Sequence, residues 1–140
     1  MDSKASARWE GGLKDGQGHV STESGALDAN YSFKQRFEGA PGTNPEELIG
    51  AAHAGCFSMA LSMILGEKGY TAESIDTQAS VTLSQGSNGF DISKIHLEVE
   101  ASVSGADEAA FKEAAETAKA NCPVSKVLNA EITMTAKLKG

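Results

Sequence analysis

The sequence predicts an α+β fold with the element order βββ-α-ββ-α-α-β. Runs of alternating apolar and polar residues, typical of strands, flank a long segment that is apolar on every face, typical of a buried helix. The chain has 140 residues, 40% of them apolar and 22% charged, which predicts a single domain over residues 1–140 rather than a disordered protein. Short connections between successive strands favour antiparallel sheets, packed around central buried helices.

The first forty residues predict three strands. Three short runs at residues 7–13, 18–23 and 31–38 are separated by glycine-containing turns, which indicates an antiparallel meander. The third run contains Phe-Lys-Gln-Arg-Phe at 33–37, whose alternation places Arg36 on a strand. A loop at residues 38–43 then leads to the long helix.

That helix is predicted from Pro45 to residues 66–68. Asn44 is a suitable N-cap, proline is favoured at the first helical position, and Glu47 falls three residues after the cap. Residues 48–65 carry no charge and are close in length to a membrane span, but small and polar residues interrupt them and charges flank them. We therefore predict a buried helix of a soluble protein, with no membrane partner. Because one small chain cannot cover every face of it, a homodimer is expected.

The second half predicts a hairpin, two helices and a final strand. Alternation at 75–83 and 95–103 flanks a turn at 87–89. The apolar residues Phe90 and Ile92 fall at even positions and Ile95 at an odd one, which predicts a β-bulge near Lys94. A helix over 106–121 and a short helix over 123–129 precede a last strand at 132–138. The predicted apolar stripe of the first of these helices is Phe111, Ala114, Ala115 and Ala118, continued by Cys122.

Composition excludes several classes of function. The net charge is −7 and there is no run of basic residues, so a nucleic-acid partner is disfavoured. Two cysteines and three scattered histidines make no zinc pattern. The N-terminus lacks the apolar segment of a signal peptide, which predicts a cytoplasmic protein.

Cys56 and Cys122 are the candidates for chemistry. Both lie on apolar stripes predicted to face the same core, and neighbouring thiols can form a reversible disulfide. Burial raises the pKa of a thiol, so Cys56 needs a nearby cation to react as a thiolate. Arg36 is one of only two arginines, and Glu46 and Glu47, at the start of the long helix, are the candidate carboxylates to hold it.

Other interpretations of these residues stay open at this point. Cys56 can be a small core residue, and Arg36 can be an exposed strand residue. His53, one turn before Cys56, raises the alternative of a cysteine–histidine hydrolase, which lacks an evident third group to orient the base. A further alternative is a non-enzymatic dimer that binds an apolar ligand and keeps both cysteines for structure.

Several motifs along the chain occur together in one known protein family. They are Trp-Glu-Gly at 9–11, Val-Ser-Thr-Glu-Ser-Gly at 20–25, Arg-Phe-Glu-Gly at 36–39, Gly-Thr-Asn-Pro-Glu-Glu-Leu-Ile-Gly-Ala-Ala-His at 42–53, Cys-Phe-Ser-Met-Ala-Leu at 56–61, Asn-Cys-Pro-Val-Ser-Lys-Val-Leu at 121–128 and Ala-Glu-Ile-Thr at 130–133. By these motifs the chain resembles the OsmC/Ohr family of organic hydroperoxide reductases over almost its whole length, and it is more similar to the OsmC branch than to the Ohr branch.

The resemblance implies an intertwined homodimer with two sites at the subunit interface. It implies that Cys56 is the peroxidatic cysteine and Cys122 the resolving cysteine, with Arg36 activating Cys56 and Glu46, rather than Glu47, holding Arg36. Cys56 then reduces an organic hydroperoxide to an alcohol, and the sulfenic acid so formed condenses with Cys122 into a disulfide. The resemblance also implies an external dithiol of the lipoyl type that restores both thiols, and it implies no bound metal, haem or flavin.

Overall fold

The computed structural model describes residues 1–139. Their elements, in chain order, are β1 (Ala5–Glu10), β2 (Gln17–Thr22), β3 (Asp28–Tyr31), α1 (Phe33–Phe37), α2 (Pro45–Glu67), β4 (Ala72–Gly86), β5 (Gly89–Val103), α3 (Glu108–Asn121), α4 (Pro123–Val127) and β6 (Glu131–Lys139). The predicted α+β class and element order are confirmed, with α1 as one additional helix. The chain forms two compact units, Met1–Leu48 and a second that begins at Ile49, while one domain over residues 1–140 stays a prediction.

In the first unit, β1, β2 and β3 form the predicted antiparallel meander. Gly18 lies in the middle of this sheet, paired with Trp9 on one side and Tyr31 on the other. The two aromatic rings meet over the glycine with their centroids 5.6 Å apart. A Cβ atom at Gly18 would lie 2.5 Å from the Tyr31 ring and 2.7 Å from the Trp9 ring, so the rings need this glycine.

The strand predicted at 31–38 is wrong beyond Tyr31, because residues 33–37 form the helix α1. Phe33 and Phe37 are four residues apart, and in a helix that spacing brings their rings together, with centroids 4.8 Å apart. Ser32 remains extended, and its carbonyl oxygen accepts the first helical hydrogen bond, from the Arg36 N–H at 3.1 Å. Five residues are too few to distinguish a helical from an alternating pattern.

The start and end of α2 agree with the prediction. The Asn44 side chain accepts a hydrogen bond from the Glu47 N–H at 2.8 Å, as an N-cap does. The helix ends at Glu67, and Gly69 follows with φ +88°, the conformation that glycine adopts most readily after a helix. Among the described residues, α2 is the helix that by length and composition could span a membrane, a test that the core helix of a soluble protein also passes.

The two faces of α2 in the second unit differ sharply. One face carries a row at four-residue intervals, His53, Phe57, Leu61 and Leu65, whose side chains are fully buried. The opposite face is exposed although it is largely apolar, and its residues are Ala51, Ala52, Gly55, Met59, Ser62 and Met63. The helix is therefore apolar all round, as predicted, but a single chain buries only one side of it.

The second sheet has the order β4-β5-β6. β4 and β5 form the predicted hairpin, in which Gly86 pairs with Gly89 across a two-residue turn. Thr82 pairs with Lys94 but Leu83 pairs with Ile92, so one extra residue of β5 forms the predicted bulge. β6, however, lies parallel to β5, so the prediction of purely antiparallel sheets is wrong for this pair. α3 and α4 intervene between these strands and allow the chain to return to the same end of the sheet.

The core of the second unit lies between this sheet and the helices. The predicted stripe of α3 is buried in full, and α3 begins at Glu108 because the Asp107 side chain caps it by accepting from the Ala110 N–H at 2.7 Å. α4 ends at Val127, two residues before the predicted end. The buried apolar side chains of this core are Phe57, Leu61, Leu65, Ile95, Leu97, Val99, Ala101, Val103, Phe111, Ala114, Ala115, Ala118, Cys122 and Ala136.

Candidate active site

Two free thiols lie next to each other in the second unit. Cys56 is half-buried on α2, and Cys122 is 1% exposed at the junction of α3 and α4. The Cys122 thiol is close enough to act directly on the protonation of Cys56. The prediction that the two cysteines are neighbours, although 66 residues apart, is thereby confirmed.

The surroundings of Cys56 favour its protonated form. Burial raises the pKa of the Cys56 thiol, and the adjacent Cys122 raises it further. A hydrogen bond from the Val124 backbone favours the thiolate and offsets part of this effect. The direction of the pKa shift is the one expected from the sequence, so a reactive Cys56 needs a positive charge brought to it.

Cys122 is held by Ser125, three residues further along the chain. The Cys122 sulfur accepts from the Ser125 backbone N–H at 3.4 Å and so caps α4. The Ser125 hydroxyl oxygen lies 3.1 Å from the same sulfur, and Ser125 is 8% exposed. Ser125 is not among the predicted site residues, although the spacing Cys-Pro-Val-Ser is that of a side-chain cap.

His53 continues this chain of polar groups into the core. Its Nε2 atom lies 2.7 Å from the Ser125 hydroxyl oxygen, whereas its Nδ1 atom is buried and has no hydrogen-bond partner. Burial lowers the pKa of His53, so the imidazole is neutral at neutral pH. Neither ring nitrogen of His53 bonds to Cys56, so these two residues do not form the cysteine–histidine pair of a hydrolase.

The first unit contains the predicted arginine and its carboxylate. Arg36 Nε and Nη2 donate to Glu46 Oε1 and Oε2, each at 3.0 Å, which makes a two-point ion pair. The Glu46 side chain is 9% exposed and the Arg36 side chain 36%. Glu46 is thus the partner of Arg36, and the alternative Glu47 is exposed, with its backbone N–H bonded to the N-cap.

Arg36 also borders an apolar groove of the first unit. The groove has a volume of about 270 Å³, and its lining residues are Trp9, Leu13, Tyr31, Ser32, Phe33, Arg36 and Phe37. The guanidinium carbon lies 5.4 Å from the centre of the Phe37 ring. A cation at the wall of an apolar groove suits a small ligand with one polar and one apolar end.

In residues 1–139, no group of three or more histidine, cysteine, aspartate or glutamate side chains is placed to hold a metal ion. The polar clusters that contain predicted site residues are the pair Arg36–Glu46 and the chain from His53 to Cys122.

Comparison with known sequences gives one family and several relatives. The family described as OsmC-like protein matches residues 37–137. The peroxiredoxin OsmC of Escherichia coli K12 is 58% identical over 140 residues, which cover 99% of this chain and 98% of that protein. The organic hydroperoxide resistance protein OhrB of Bacillus subtilis is 30% identical over 124 residues, which cover 87% of this chain and 89% of that one.

Comparison with solved structures gives the same fold. The crystal structure of OhrB of Bacillus subtilis matches with a TM-score of 0.74 and 27% identity, covering 99% of this chain and 98% of that chain. An OsmC-like protein from Mycoplasma pneumoniae matches with a TM-score of 0.77, covering 100% and 99% of the two chains. The identity in that case is 16%, so this likeness concerns the fold alone.

Because His53 is buried, we expect the folded protein to be less stable at acidic pH. Its pKa is lowered from 6.5, so below about pH 6.5 the unfolded chain binds a proton that the folded chain does not. The free energy of unfolding therefore decreases as the pH is lowered, and His53 contributes at most about 1.4 kcal/mol per pH unit to this decrease. Urea unfolding between about pH 7.5 and about pH 5 measures the slope.

The His53→Gln variant isolates this effect, because glutamine does not titrate and keeps a side-chain N–H. We expect its stability to fall less steeply with acid than that of the unmodified protein. His19, whose pKa is raised first by its hydrogen bond to Asn30, acts with the opposite sign, but it is present in both proteins and cancels from the comparison. Identical slopes would contradict the assignment to His53.

Proposed function

The chain belongs to the OsmC-like protein family, as its motifs predicted, and on this premise we propose that it is a two-cysteine peroxidase that reduces organic hydroperoxides to alcohols. The observation that carries the proposal is the contact between the free thiols of Cys56 and Cys122. The relatives named peroxiredoxin and organic hydroperoxide resistance protein support a peroxidase-type role. Residues 1–140 act as one domain in this proposal.

The reaction has three steps in this proposal. The Cys56 thiolate attacks the terminal oxygen of the hydroperoxide, the O–O bond breaks, and the alkoxide takes up a proton and leaves as the alcohol. The resulting sulfenic acid of Cys56 reacts with Cys122, which forms the disulfide and releases water. We propose an external dithiol of the lipoyl type as the reductant. It reduces the disulfide by thiol–disulfide exchange, so no bound cofactor is needed.

Arg36 is the activating cation in this proposal. Burial raises the pKa of Cys56, and a fixed positive charge is what counteracts such a shift. The two-point ion pair with the buried Glu46 supports this role, because it holds the guanidinium group in one orientation. The two cysteines, Arg36 and Glu46 are accordingly the proposed catalytic residues.

The apolar groove beside Arg36 favours organic hydroperoxides over hydrogen peroxide. Its aromatic side chains, such as Phe33 and Phe37, offer apolar surface that hydrogen peroxide cannot use. We assign the groove to the organic part of the substrate and Arg36 to its peroxide oxygens.

A homodimer completes the proposal. The exposed face of α2 includes Met59 and Met63, whose exposed fractions are 77% and 63%. The small residues Ala52 and Gly55 on the same face allow a second helix to approach closely. A second copy of the chain is the partner we propose for this face, in the reducing cytoplasm where both cysteines remain thiols.

Titration of the thiols with cumene hydroperoxide tests the function. One equivalent added to the reduced protein is expected to remove both thiols and to give a Cys56–Cys122 disulfide, identified by peptide mass spectrometry. Cys122→Ser is expected to stop at the sulfenic acid of Cys56, which dimedone traps, and Cys56→Ser is expected not to react. Two thiols that persist in the unmodified protein would reject the enzyme and favour the non-enzymatic dimer that binds an apolar ligand.

Substitutions at the ion pair test the activation of Cys56. Arg36→Met removes the charge and is expected to lower kcat/KM for cumene hydroperoxide about tenfold to a hundredfold, the value of a charge-assisted hydrogen bond. Arg36→Lys keeps the charge but loses the two-point geometry, so we expect an intermediate loss, and Glu46→Gln is expected to resemble it. The pH at which iodoacetamide modifies Cys56 should rise in Arg36→Met, and an unchanged profile would exclude the role.

A charge on the exposed face of α2 tests the dimer. Met59→Glu places a carboxylate where the proposed partner helix packs, and an unpaired buried charge is strongly unfavourable. Sedimentation equilibrium is expected to give twice the 14.5 kDa chain mass for the unmodified protein and a single chain mass for the variant. Thr117→Glu, on an exposed position of α3, is the matched control and should remain dimeric.

A further inference from the structure

We propose that Ser125 is a catalytic residue of the disulfide-forming step, in which its hydroxyl group donates a hydrogen bond to the Cys122 sulfur, and that His53 is a positioning residue that sets the direction of that hydroxyl group. The inference rests on the proposed function and deepens it, because it concerns how the resolving cysteine is prepared. It is carried by the buried chain of contacts from His53 Nε2 through Ser125 Oγ to Cys122 Sγ.

The orphaned nitrogen of His53 indicates which ring nitrogen carries the hydrogen. The imidazole is fully buried and neutral, so one nitrogen is a donor and the other an acceptor. Nδ1 has no partner, and a buried donor without an acceptor is less tolerable than an acceptor without a donor. The hydrogen therefore lies on Nε2, which donates to the Ser125 oxygen 2.7 Å away.

This choice fixes the direction of the next hydrogen bond. The Ser125 oxygen accepts from His53, so its own hydrogen turns to its other polar neighbour, the Cys122 sulfur at 3.1 Å. The same sulfur accepts from the Ser125 backbone N–H at 3.4 Å. Two donors from one residue thus face the Cys122 sulfur, which is the environment that a negatively charged sulfur requires.

The step that uses these donors conserves atoms and electrons. The Cys122 sulfur attacks the sulfur of the Cys56 sulfenic acid, the S–S bond forms and the S–O bond breaks. The departing hydroxide combines with the proton that Cys122 has lost and leaves as water. Cys122 is oxidised and Cys56 is reduced in the same event, so no other reagent is involved.

The packing of the core gives no structural reason for these two polar side chains. His53 occupies the first place of the buried row continued by Phe57, Leu61 and Leu65, where an apolar residue would pack without a polar atom to satisfy. The cap of α4 needs only the Ser125 backbone N–H, which does not depend on the hydroxyl group or on the histidine. Core packing therefore does not explain why His53, with its unpaired Nδ1, and the Ser125 hydroxyl group lie next to the Cys122 sulfur.

Rapid mixing separates the two steps of the reaction and tests the proposal. The reduced dimer is mixed with one equivalent of cumene hydroperoxide and quenched with dimedone at increasing times, and sulfenic acid and disulfide are counted by mass spectrometry. Ser125→Ala is expected to form sulfenic acid at a rate within about twofold of the unmodified protein. Its rate of disulfide formation is expected to be about tenfold lower. Disulfide formation as fast as in the unmodified protein would overturn the role of Ser125.

Variants at His53 give a second, independent test that leaves Ser125 in place. Glutamine can present an N–H where the imidazole Nε2 was, whereas leucine fills the space without a donor. We expect His53→Gln to keep most of the rate of disulfide formation and His53→Leu to lose it in the manner of Ser125→Ala. Equal rates in the two variants would overturn the positioning role, since a purely structural contribution follows the stability of the variants and not their hydrogen-bond donors.

Ser58→Ala is the matched control. This variant loses a hydroxyl hydrogen bond of 2.7 Å to Thr77 but no hydrogen bond to sulfur. Both rates are expected to remain unchanged in this variant. Failure of the proposed function has a different signature from failure of this inference. Absence of sulfenic acid in the unmodified protein overturns both, whereas normal sulfenic acid with equally fast disulfide formation in Ser125→Ala overturns this inference alone.

Discussion

Burial of one face of α2 is the constraint on which the rest of the site depends. It fixes the row from His53 to Leu65 against the second sheet and α3, and it holds Cys56 beside Cys122. The same burial raises the pKa of Cys56, so the packing that brings the two sulfur atoms together also makes the first of them less reactive. A peroxidase built on this helix must therefore supply a positive charge and donors for the developing negative charge.

In the proposed mechanism, two polar clusters meet this need in different ways. Arg36 and Glu46 form an ion pair with fixed geometry, which is suited to hold a cation toward an anion. His53 and Ser125 carry no net charge and bring donors to Cys122 without placing an ion in the core. Burying a neutral polar group costs less free energy than burying an isolated charge, which is strongly disfavoured in a protein core.

The uncovered face of α2 connects the fold to assembly. A helix that is apolar on every side is stable in water only when both sides are covered, and one chain of this size covers one of them. Exposed methionines among small residues suit contact with another helix, since methionine adapts its shape and small side chains permit close approach. The proposed dimer thus follows from the same apolar pattern that buries Cys56.

Periodicity and local capping predict the α+β class, the cap and length of α2, the stripe of α3 and the hairpin bulge, and residue type singles out the two cysteines. The remaining features depend on contacts between residues that are distant in sequence. A five-residue pattern did not reveal that residues 33–37 are helical, and the parallel pairing of β6 depends on how α3 and α4 return the chain. The choice of Glu46 over Glu47 and the contact of His53 with Ser125, 72 residues apart, require distances in space that no spacing along the chain contains.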